Sequence, residues 1–323
     1  MKKHSRLGKS QIISFEPCAA LNKVIFVVYY MPIPFTAKGE IDFDGFKVLI
    51  DRQIRYGTNQ LFVLGSAAEV TLLSLEEKKA IVRETIKYVN HRIPVFFSAA
   101  SATTEGEVEF ARFLEDEGAD GVIFTIPPYV LIPQEDAFIH LDTCMGSTTL
   151  PCGIYNNPSR LGVQVEPETI QRLAAKHKNF VVDKEATGSV YQLVQVQRLT
   201  EGKVKIMCCD SPWYSIVLPT LAVGGTGLAN IGGNIIPEEV ARYARPWTST
   251  DIMNEGRAEY FKYFPLLMEL YEVSNPVVIK AALNLLGLPG GHVRRPYQDY
   301  DGEPLKKLEK VMKDLGVLDK YGV

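Results

Sequence analysis

The sequence predicts an α/β fold, a (β/α)8 TIM barrel with a C-terminal helical extension. Eight short apolar runs typical of buried strands recur along the 323 residues, and their starts lie about 24 to 36 residues apart. That spacing fits one strand, one helix and two loops, and eight such parallel units close a barrel. An open doubly wound sheet is the alternative, but no G-x-G-x-x-G motif follows the first run. The eight runs are Val24–Tyr30, Gln60–Leu64, Pro94–Phe97, Gly121–Ile126, Leu150–Tyr155, Asn179–Asp183, Lys203–Cys208 and Gly227–Ile231.

Helical patterns fill the gaps between these runs. Ser74 and Glu77 have the spacing of a capping box, which predicts a helix through about Val89. Thr104 and Glu107 have the same spacing and predict a second capping box. Other gaps carry apolar residues at helical spacing before Gly57, and a proline at the first turn of a helix over Pro167–His177.

Beyond about Pro237 the pattern becomes helical only. We therefore divide the chain into a leader of uncertain order (residues 1–22), the barrel (23–248) and a C-terminal helical region (249–323). Helices are predicted over Asp251–Glu272, Pro276–Leu286 and Pro304–Leu315, and a barrel needs only one of them as its eighth helix. The remainder is expected to be a packing or oligomer surface rather than part of an active site.

Composition excludes several classes of function. The formal net charge of −3 and the lack of a basic run argue against a nucleic-acid partner. The longest strand-like apolar run is too short to span a bilayer, so no membrane partner is expected. Five cysteines without C-x-x-C spacing are typical of reduced thiols, which predicts a cytoplasmic protein without a zinc site or disulfide framework.

Lys184 is the first candidate for chemistry. The stretch N-F-V-V-D-K-E-A-T-G, residues 179–188, is a short apolar run that ends at Lys184, Glu185 and a turn containing Gly188. A strand of this kind delivers a lysine to the rim of the sheet, where a lowered pKa would allow its amine to form an imine with a ketone. An ordinary lysine that extends from a strand end is the alternative.

Polar residues at the other strand ends support the catalytic interpretation, because chemistry in a TIM barrel lies at the C-terminal ends of its strands. Gly65 to Glu69, G-S-A-A-E, offers backbone N–H groups for a carboxylate and the hydroxyl of Ser66. Tyr129 follows the fourth run, while Tyr155 and Arg160 follow the fifth. Together with Lys184 they suit a keto acid held as an imine. Since no metal-ligand cluster is evident, we expect neither a metal nor an organic cofactor.

These motifs resemble the pyruvate-dependent class I aldolase superfamily that contains dihydrodipicolinate synthase and N-acetylneuraminate lyase. The resemblance extends from about Lys23 to the C-terminal tail, and four motifs carry it besides G-S-A-A-E and K-E-A-T-G. They are the P-P-Y segment at 127–129, Y-N-N-P-S-R at 155–160, N-P-V-V-I-K-A-A-L at 275–283 and the V-R-R-P segment near the tail. The resemblance implies condensation of pyruvate with aspartate semialdehyde as the first choice of reaction.

The same resemblance implies the roles of the site residues. Lys184 would form the Schiff base, Tyr155 would move protons at the imine, and Ser66 would join the proton relay. Tyr129 would enter this relay from a neighbouring subunit, which implies a homo-oligomer, either a dimer or a dimer-based tetramer.

The resemblance also implies how the substrates are bound. The amides of Ser66 and Ala67, next to Gly65, would hold the keto-acid carboxylate, and Arg160 would bind the carboxylate of an aldehyde substrate.

One departure keeps other functions open. In the family, the loop after the second strand usually reads G-[ST]-T-G-E. Here Ala67 replaces the threonine and Ala68 replaces the glycine, so one hydroxyl is missing. A lyase or dehydratase acting on an acyl-neuraminate or a 2-keto-3-deoxy sugar acid is therefore the second hypothesis. A keto-acid sensor that has lost catalysis is the third.

Overall fold

The computed structural model describes residues 26–323, which contain eight parallel strands closed into a barrel in the order β1 to β8. The closing pair is β1 with β8, where Val28 is the register partner of Ala229. Helices connect successive strands around the outside, and the predicted (β/α)8 barrel is confirmed. The strands are β1 Phe26–Tyr30, β2 Gln60–Val63, β3 Val95–Ser98, β4 Gly121–Thr125, β5 Cys152–Asn156, β6 Phe180–Glu185, β7 Lys205–Cys209 and β8 Gly227–Asn230.

The predicted strands and the observed strands agree to within a few residues. The first two residues of the predicted first strand, and the leader before them, lie outside the described residues. Strand β6 runs through Lys184 to Glu185, two residues further than predicted, because the polar side chains there are buried rather than solvent-exposed. Lys184 is therefore an integral part of the barrel wall.

Within residues 26–323, nine helices, α1 to α9, accompany the barrel strands. The predicted capping box at Ser74 is confirmed, since the Glu77 amide donates to Ser74 Oγ (3.2 Å) and the Ser74 amide donates to Glu77 Oε2 (2.8 Å). The nine helices are α1 Phe43–Arg55, α2 Leu75–Val89, α3 Thr104–Glu117, α4 Gln134–Gly146, α5 Pro158–Leu161, α6 Pro167–Lys176, α7 Val190–Leu199, α8 Val217–Ala222 and α9 Pro237–Tyr243.

The capping box predicted for Thr104 and Glu107 is wrong. Thr103 is the N-cap of α3, where its hydroxyl accepts from the Gly106 amide at 3.0 Å. The carboxylate of Glu107 is buried and accepts instead from the hydroxyl of Thr125 on β4, at 2.7 Å. A tertiary hydrogen bond has replaced the local one, which spacing along the helix cannot reveal.

The C-terminal region contains four helices: α10 Thr250–Leu270, α11 Val277–Leu285, α12 Gly302–Asp314 and α13 Val317–Tyr321. Three of them were predicted, and α13 was not. Among the described residues, no helix combines the length and the apolar character that a membrane span requires. The segments on either side of α11 reach the C-terminal ends of the strands, which corrects the expectation that this region is only a packing or oligomer surface.

A buried ion pair joins α11 to the loop after β2. Lys280 Nζ donates to Glu69 Oε1 (2.5 Å) and to the carbonyl of His292 (2.7 Å), while the Arg294 amide donates to Glu69 Oε2 (2.8 Å). The side chains of Glu69 and Lys280 are 0% and 2% exposed, so neither charge has water as an alternative partner. We call Glu69, Lys280 and Arg294 the C-terminal clamp. It fixes the loop after β2 against the C-terminal region.

Breaking the clamp from one side should destabilise the fold strongly. We expect Lys280→Met to lower the free energy of unfolding by about 3–5 kcal/mol, because it leaves the Glu69 carboxylate buried without its counter-charge. Urea denaturation followed by circular dichroism measures this change. The double variant Lys280→Met, Glu69→Leu should recover a large part of the loss, and equal instability of the single and double variants would contradict an ion-pair origin.

Candidate active site

A cavity of about 780 Å³ opens at the C-terminal ends of the barrel strands. Lys184 lies in its wall, and side chains from the ends of β1, β2, β5 and β7 surround it. The C-terminal region adds Tyr271 to Asn275 and Tyr297. The cavity thus has the position at which TIM-barrel enzymes carry their chemistry.

Lys184 points into the barrel and is 2% exposed. Tyr155 on β5 is its register partner, so both side chains project to the same side of the sheet. The Lys184 Nζ atom lies 3.3 Å from the ring centroid of Tyr155, 4.1 Å from that of Tyr30 and 4.9 Å from that of Phe62. We call these three rings the aromatic box.

Burial lowers the pKa of Lys184 from its ordinary value to about 7. The positive charge of Arg160 adds to this effect, whereas Cys209 opposes it. A substantial fraction of the amine is therefore neutral at physiological pH and carries the lone pair that a nucleophile requires. The interpretation of Lys184 as an ordinary surface lysine is wrong, because its side chain is buried in the wall of a cavity.

Tyr155 presents a protonated phenol beside this amine. Burial raises its pKa well above 10, and the charge of Arg160 acts in the opposite direction. Its hydroxyl oxygen accepts from Asn157 Nδ2 at 2.5 Å, and the same amide nitrogen donates to Tyr214 at 3.1 Å. Tyr155 is thus held in place and can donate a proton close to Lys184.

Ser66 and Ala67 begin a short 3-10 turn that follows Gly65. No side chain caps this turn, and within the described residues the backbone amides of Ser66 and Ala67 have no acceptor. Gly65 is required by packing, since a Cβ there would lie 2.7 Å from the ring of Phe62. Gly65 and Ser66 line the cavity, whereas Ala67 and Ala68 are fully buried in the core. The methyl groups of Ala67 and Ala68 thus pack in the apolar core.

Ser66 contacts a residue that the sequence analysis missed. Its Oγ accepts from Asn275 Nδ2 at 3.0 Å, across 209 positions of sequence. No described hydrogen bond joins Ser66 to Tyr155 in this structure, and the Tyr155 oxygen, which accepts from Asn157, keeps its own proton free to donate. The N-P-V-V-I-K motif, which begins with Asn275, is the sequence feature that could have identified this residue.

Arg160 lies at the mouth of the cavity with an exposed side chain. Within residues 26–323, its guanidinium makes no hydrogen bond or ion pair, and only its backbone amide is engaged, with Asn157. A free guanidinium at this point can bind a carboxylate in a bidentate manner.

Tyr129 does not line the cavity of the single chain. It is 96% exposed, adopts a backbone φ of +80°, and follows Pro128, which does reach the cavity wall. Its predicted role in a neighbouring subunit stays a prediction.

Other cavity residues were also missed by the sequence analysis. Tyr30 closes the aromatic box, and its hydroxyl lies 3.6 Å from Cys209 Sγ. Tyr271 donates to the buried Asp210 at 2.5 Å, which ties the end of α10 to the end of β7. Position at a strand end could have identified Tyr30, whereas Tyr271 lies in a helical region that gave no such signal.

Glu107, His140 and Cys144 form the cluster that most resembles a metal site in the described part of the chain. Both ring nitrogens of His140 are already hydrogen-bonded at 2.8 Å, one to the Thr104 hydroxyl and one to the Thr125 carbonyl. The cluster lies outside the barrel, between β4 and the helices α3 and α4, and it fits a hydrogen-bonded network. The expected lack of a metal stays a prediction.

Residues 24–315 match the model of the dihydrodipicolinate synthetase family. The chain belongs to this family. A curated relative from Methanocaldococcus jannaschii, a 4-hydroxy-tetrahydrodipicolinate synthase, is 33% identical over 88% of this chain and 96% of its own. A synthase of the same name from Moorella thermoacetica is 34% identical over 89% of this chain and 97% of its own. The crystal structure of dihydrodipicolinate synthase from Thermotoga maritima shares 29% identity, with a TM-score of 0.84 over 90% of this chain and 98% of that one.

Removing the buried amine should stabilise this family member. The pKa of Lys184 is lower in the folded chain than in the unfolded chain, so the folded state binds fewer protons between pH 7 and the ordinary lysine pKa. Stability contributed by this group therefore rises with pH across that window. We expect Lys184→Met to raise the urea midpoint, and to raise it more at about pH 6 than at about pH 9.5. A difference that is independent of pH would contradict the desolvation argument.

Proposed function

We propose that this protein is a Schiff-base lyase, or class I aldolase, that acts on pyruvate or another 2-keto acid. The observation that carries this proposal is the buried amine of Lys184 at the C-terminal end of the barrel, beside the Tyr155 phenol. Its relatives in the family are 4-hydroxy-tetrahydrodipicolinate synthases, and condensation of pyruvate with aspartate semialdehyde is our first choice of reaction. The covalent imine takes the place of a metal or an organic cofactor.

The first half of the reaction captures the keto acid. The neutral Lys184 amine attacks the keto carbon and forms a carbinolamine, whose hydroxyl group leaves as water once it is protonated. Tyr155, which keeps its proton because burial raises its pKa, is the donor. The product is a cationic imine, and the faces of the aromatic box stabilise this cation.

The second half forms the new carbon–carbon bond. The Tyr155 phenolate left by the first half takes a proton from C3, which converts the imine into an enamine, and the enamine carbon then attacks the aldehyde. The new alkoxide takes a proton from the relay of Tyr155 and Ser66, and addition of water to the imine releases the product and restores the amine. Read in reverse, the same steps cleave a 4-hydroxy-2-keto acid.

Two features support the binding of both substrates. The amides of Ser66 and Ala67, which have no acceptor inside their turn, suit the carboxylate of the keto acid. The unpaired guanidinium of Arg160, at the mouth, suits a carboxylate on the aldehyde.

The size of the cavity favours a second candidate. About 780 Å³ with Trp213, Tyr214 and Tyr297 in its wall leaves room for a polyol chain, as in a 2-keto-3-deoxy sugar acid or an acyl-neuraminate. Both candidates use the imine, but only an aldehyde that carries a carboxylate requires Arg160 for binding.

We further propose a homo-oligomer, a dimer or tetramer in the cytoplasm, in which Tyr129 completes the proton relay of a neighbouring subunit. Its 96% exposure in the single chain and its place directly after Pro128 support this role.

Imine capture is the direct test. Borohydride reduction in the presence of pyruvate should add the mass of the reduced keto acid to the peptide that contains Lys184, and the initial rate should rise as the pH increases through about 7. Lys184→Arg should give no adduct. Lys203→Met, which removes an exposed lysine at the opposite end of the barrel, should label like the parent.

Failure of the parent chain to form an adduct would refute the lyase. An adduct without turnover of any aldehyde would instead support the third hypothesis, a keto-acid sensor that has lost catalysis.

Arg160→Ala separates the two substrate classes. We expect kcat/KM for aspartate semialdehyde with pyruvate to fall about 10- to 100-fold, because one charge-assisted pair is lost, while a neutral polyol aldehyde changes about twofold or less. Arg172→Ala, which removes a surface arginine paired with Glu135, should leave both values unchanged. Equal losses for the two aldehydes in Arg160→Ala would refute the synthase as first choice.

A further inference from the structure

Asn275 places an unpaired acceptor beside the reaction centre. This residue immediately precedes Pro276 at the start of α11, is 3% exposed and lines the cavity. Its Nδ2 atom donates to Ser66 Oγ at 3.0 Å, whereas its Oδ1 atom is buried and has no hydrogen-bond partner in the described part of the chain. Buried side-chain acceptors are nearly always paired, so a ligand with a donor is the natural complement of this oxygen.

The chemistry of the proposed reaction limits which donor this is. The carboxylate and keto groups of a 2-keto acid carry only acceptors, and they cannot pair with a carbonyl oxygen. The aldol adduct carries one new donor, the hydroxyl at C4. The proton of this hydroxyl passes through the relay that includes Ser66, and therefore the hydroxyl has to lie next to Ser66, where Asn275 is bound.

We propose that Asn275 binds the C4 hydroxyl of a 4-hydroxy-2-keto acid through its Oδ1 atom. This inference rests on the proposed function and deepens it, since it assigns a subsite for the hydroxylated adduct. Asn275 also acts on Ser66. Because its N–H occupies one lone pair of the serine oxygen, the serine proton is free to point toward the reacting groups.

The positions of Asn275 and Ser66 are fixed relative to each other, so the site can distinguish a keto acid with a C4 hydroxyl from one without it. The Lys280 amide donates to the Pro276 carbonyl at 3.1 Å, and the Lys280 side chain belongs to the C-terminal clamp. The carboxamide of Asn275 and the turn that contains Ser66 are thus held by the same ion pair, which fixes their separation.

The test compares two keto acids that differ only in the hydroxyl. 4-Hydroxy-2-oxopentanoate and 2-oxopentanoate are titrated separately into the protein, and borohydride capture at Lys184 gives the concentration for half-maximal adduct; the adduct mass identifies the captured keto acid. The parent chain should favour the hydroxylated compound. Asn275→Ala should reduce this preference about tenfold, the loss that corresponds to one hydrogen bond, while capture of 2-oxopentanoate changes about twofold or less.

Two further variants sharpen the test. Asn275→Asp retains an acceptor oxygen and should keep the preference, because any repulsion of the substrate carboxylate affects both compounds equally. Asn275→Leu preserves the side-chain volume and should lose the preference as Asn275→Ala does, which provides the answer if the alanine variant does not fold. Asn284→Ala, the same change on α11 at a residue paired with Gly291 outside the cavity, should keep the preference.

Three results would overturn the inference. If Asn275→Ala or Asn275→Leu leaves the preference unchanged, then Asn275 does not bind the C4 hydroxyl, although the proposed lyase activity is not contradicted. A parallel loss for both compounds would reduce Asn275 to a structural role. Failure of the parent to capture the hydroxylated compound, while it still captures pyruvate, would refute the subsite alone, whereas failure to capture pyruvate as well would refute the proposed function.

Discussion

The site depends on the exclusion of water from one amine. Lys184 projects from β6 into the barrel among the rings of Tyr30, Phe62 and Tyr155, and the loss of hydration disfavours its ammonium form. The aromatic faces act in the opposite direction because they attract a cation. In the free protein desolvation outweighs this attraction, whereas in the proposed imine the positive charge would be fixed by a covalent bond and the ring faces would become favourable. One enclosure thus serves both the nucleophile and the intermediate.

The second requirement is a binding loop that does not move. A short 3-10 turn exposes its first amides only while its far end stays in place, and Glu69 at that end has a left-handed backbone conformation, φ 53°. The C-terminal clamp fixes Glu69 through an ion pair and a backbone hydrogen bond. Helices that a barrel does not need for closure therefore have a direct part in forming the cavity at the ends of its strands.

The sequence predicted features that follow from local periodicity. Eight apolar runs with helices between them determine a barrel, and the barrel brings Lys184, Tyr155 and Ser66 to one rim. Features that arise from contacts across the chain were not predicted. Glu107 accepts a hydrogen bond from Thr125 instead of forming the predicted capping box, and Asn275 donates to Ser66 across 209 positions. No pattern within one helix or strand encodes such contacts, which depend on how the elements pack.

The C-terminal clamp also determines when the loop after β2 becomes fixed during synthesis of the chain. Synthesis of the chain delivers the β6 lysine well before Lys280 and Arg294, which anchor the loop after β2. A ribosome-bound chain can therefore contain every barrel strand and still lack a fixed site for a carboxylate. The loop after β2 is therefore anchored only after Lys280 and Arg294 have been synthesised, by which point all eight barrel strands are already present.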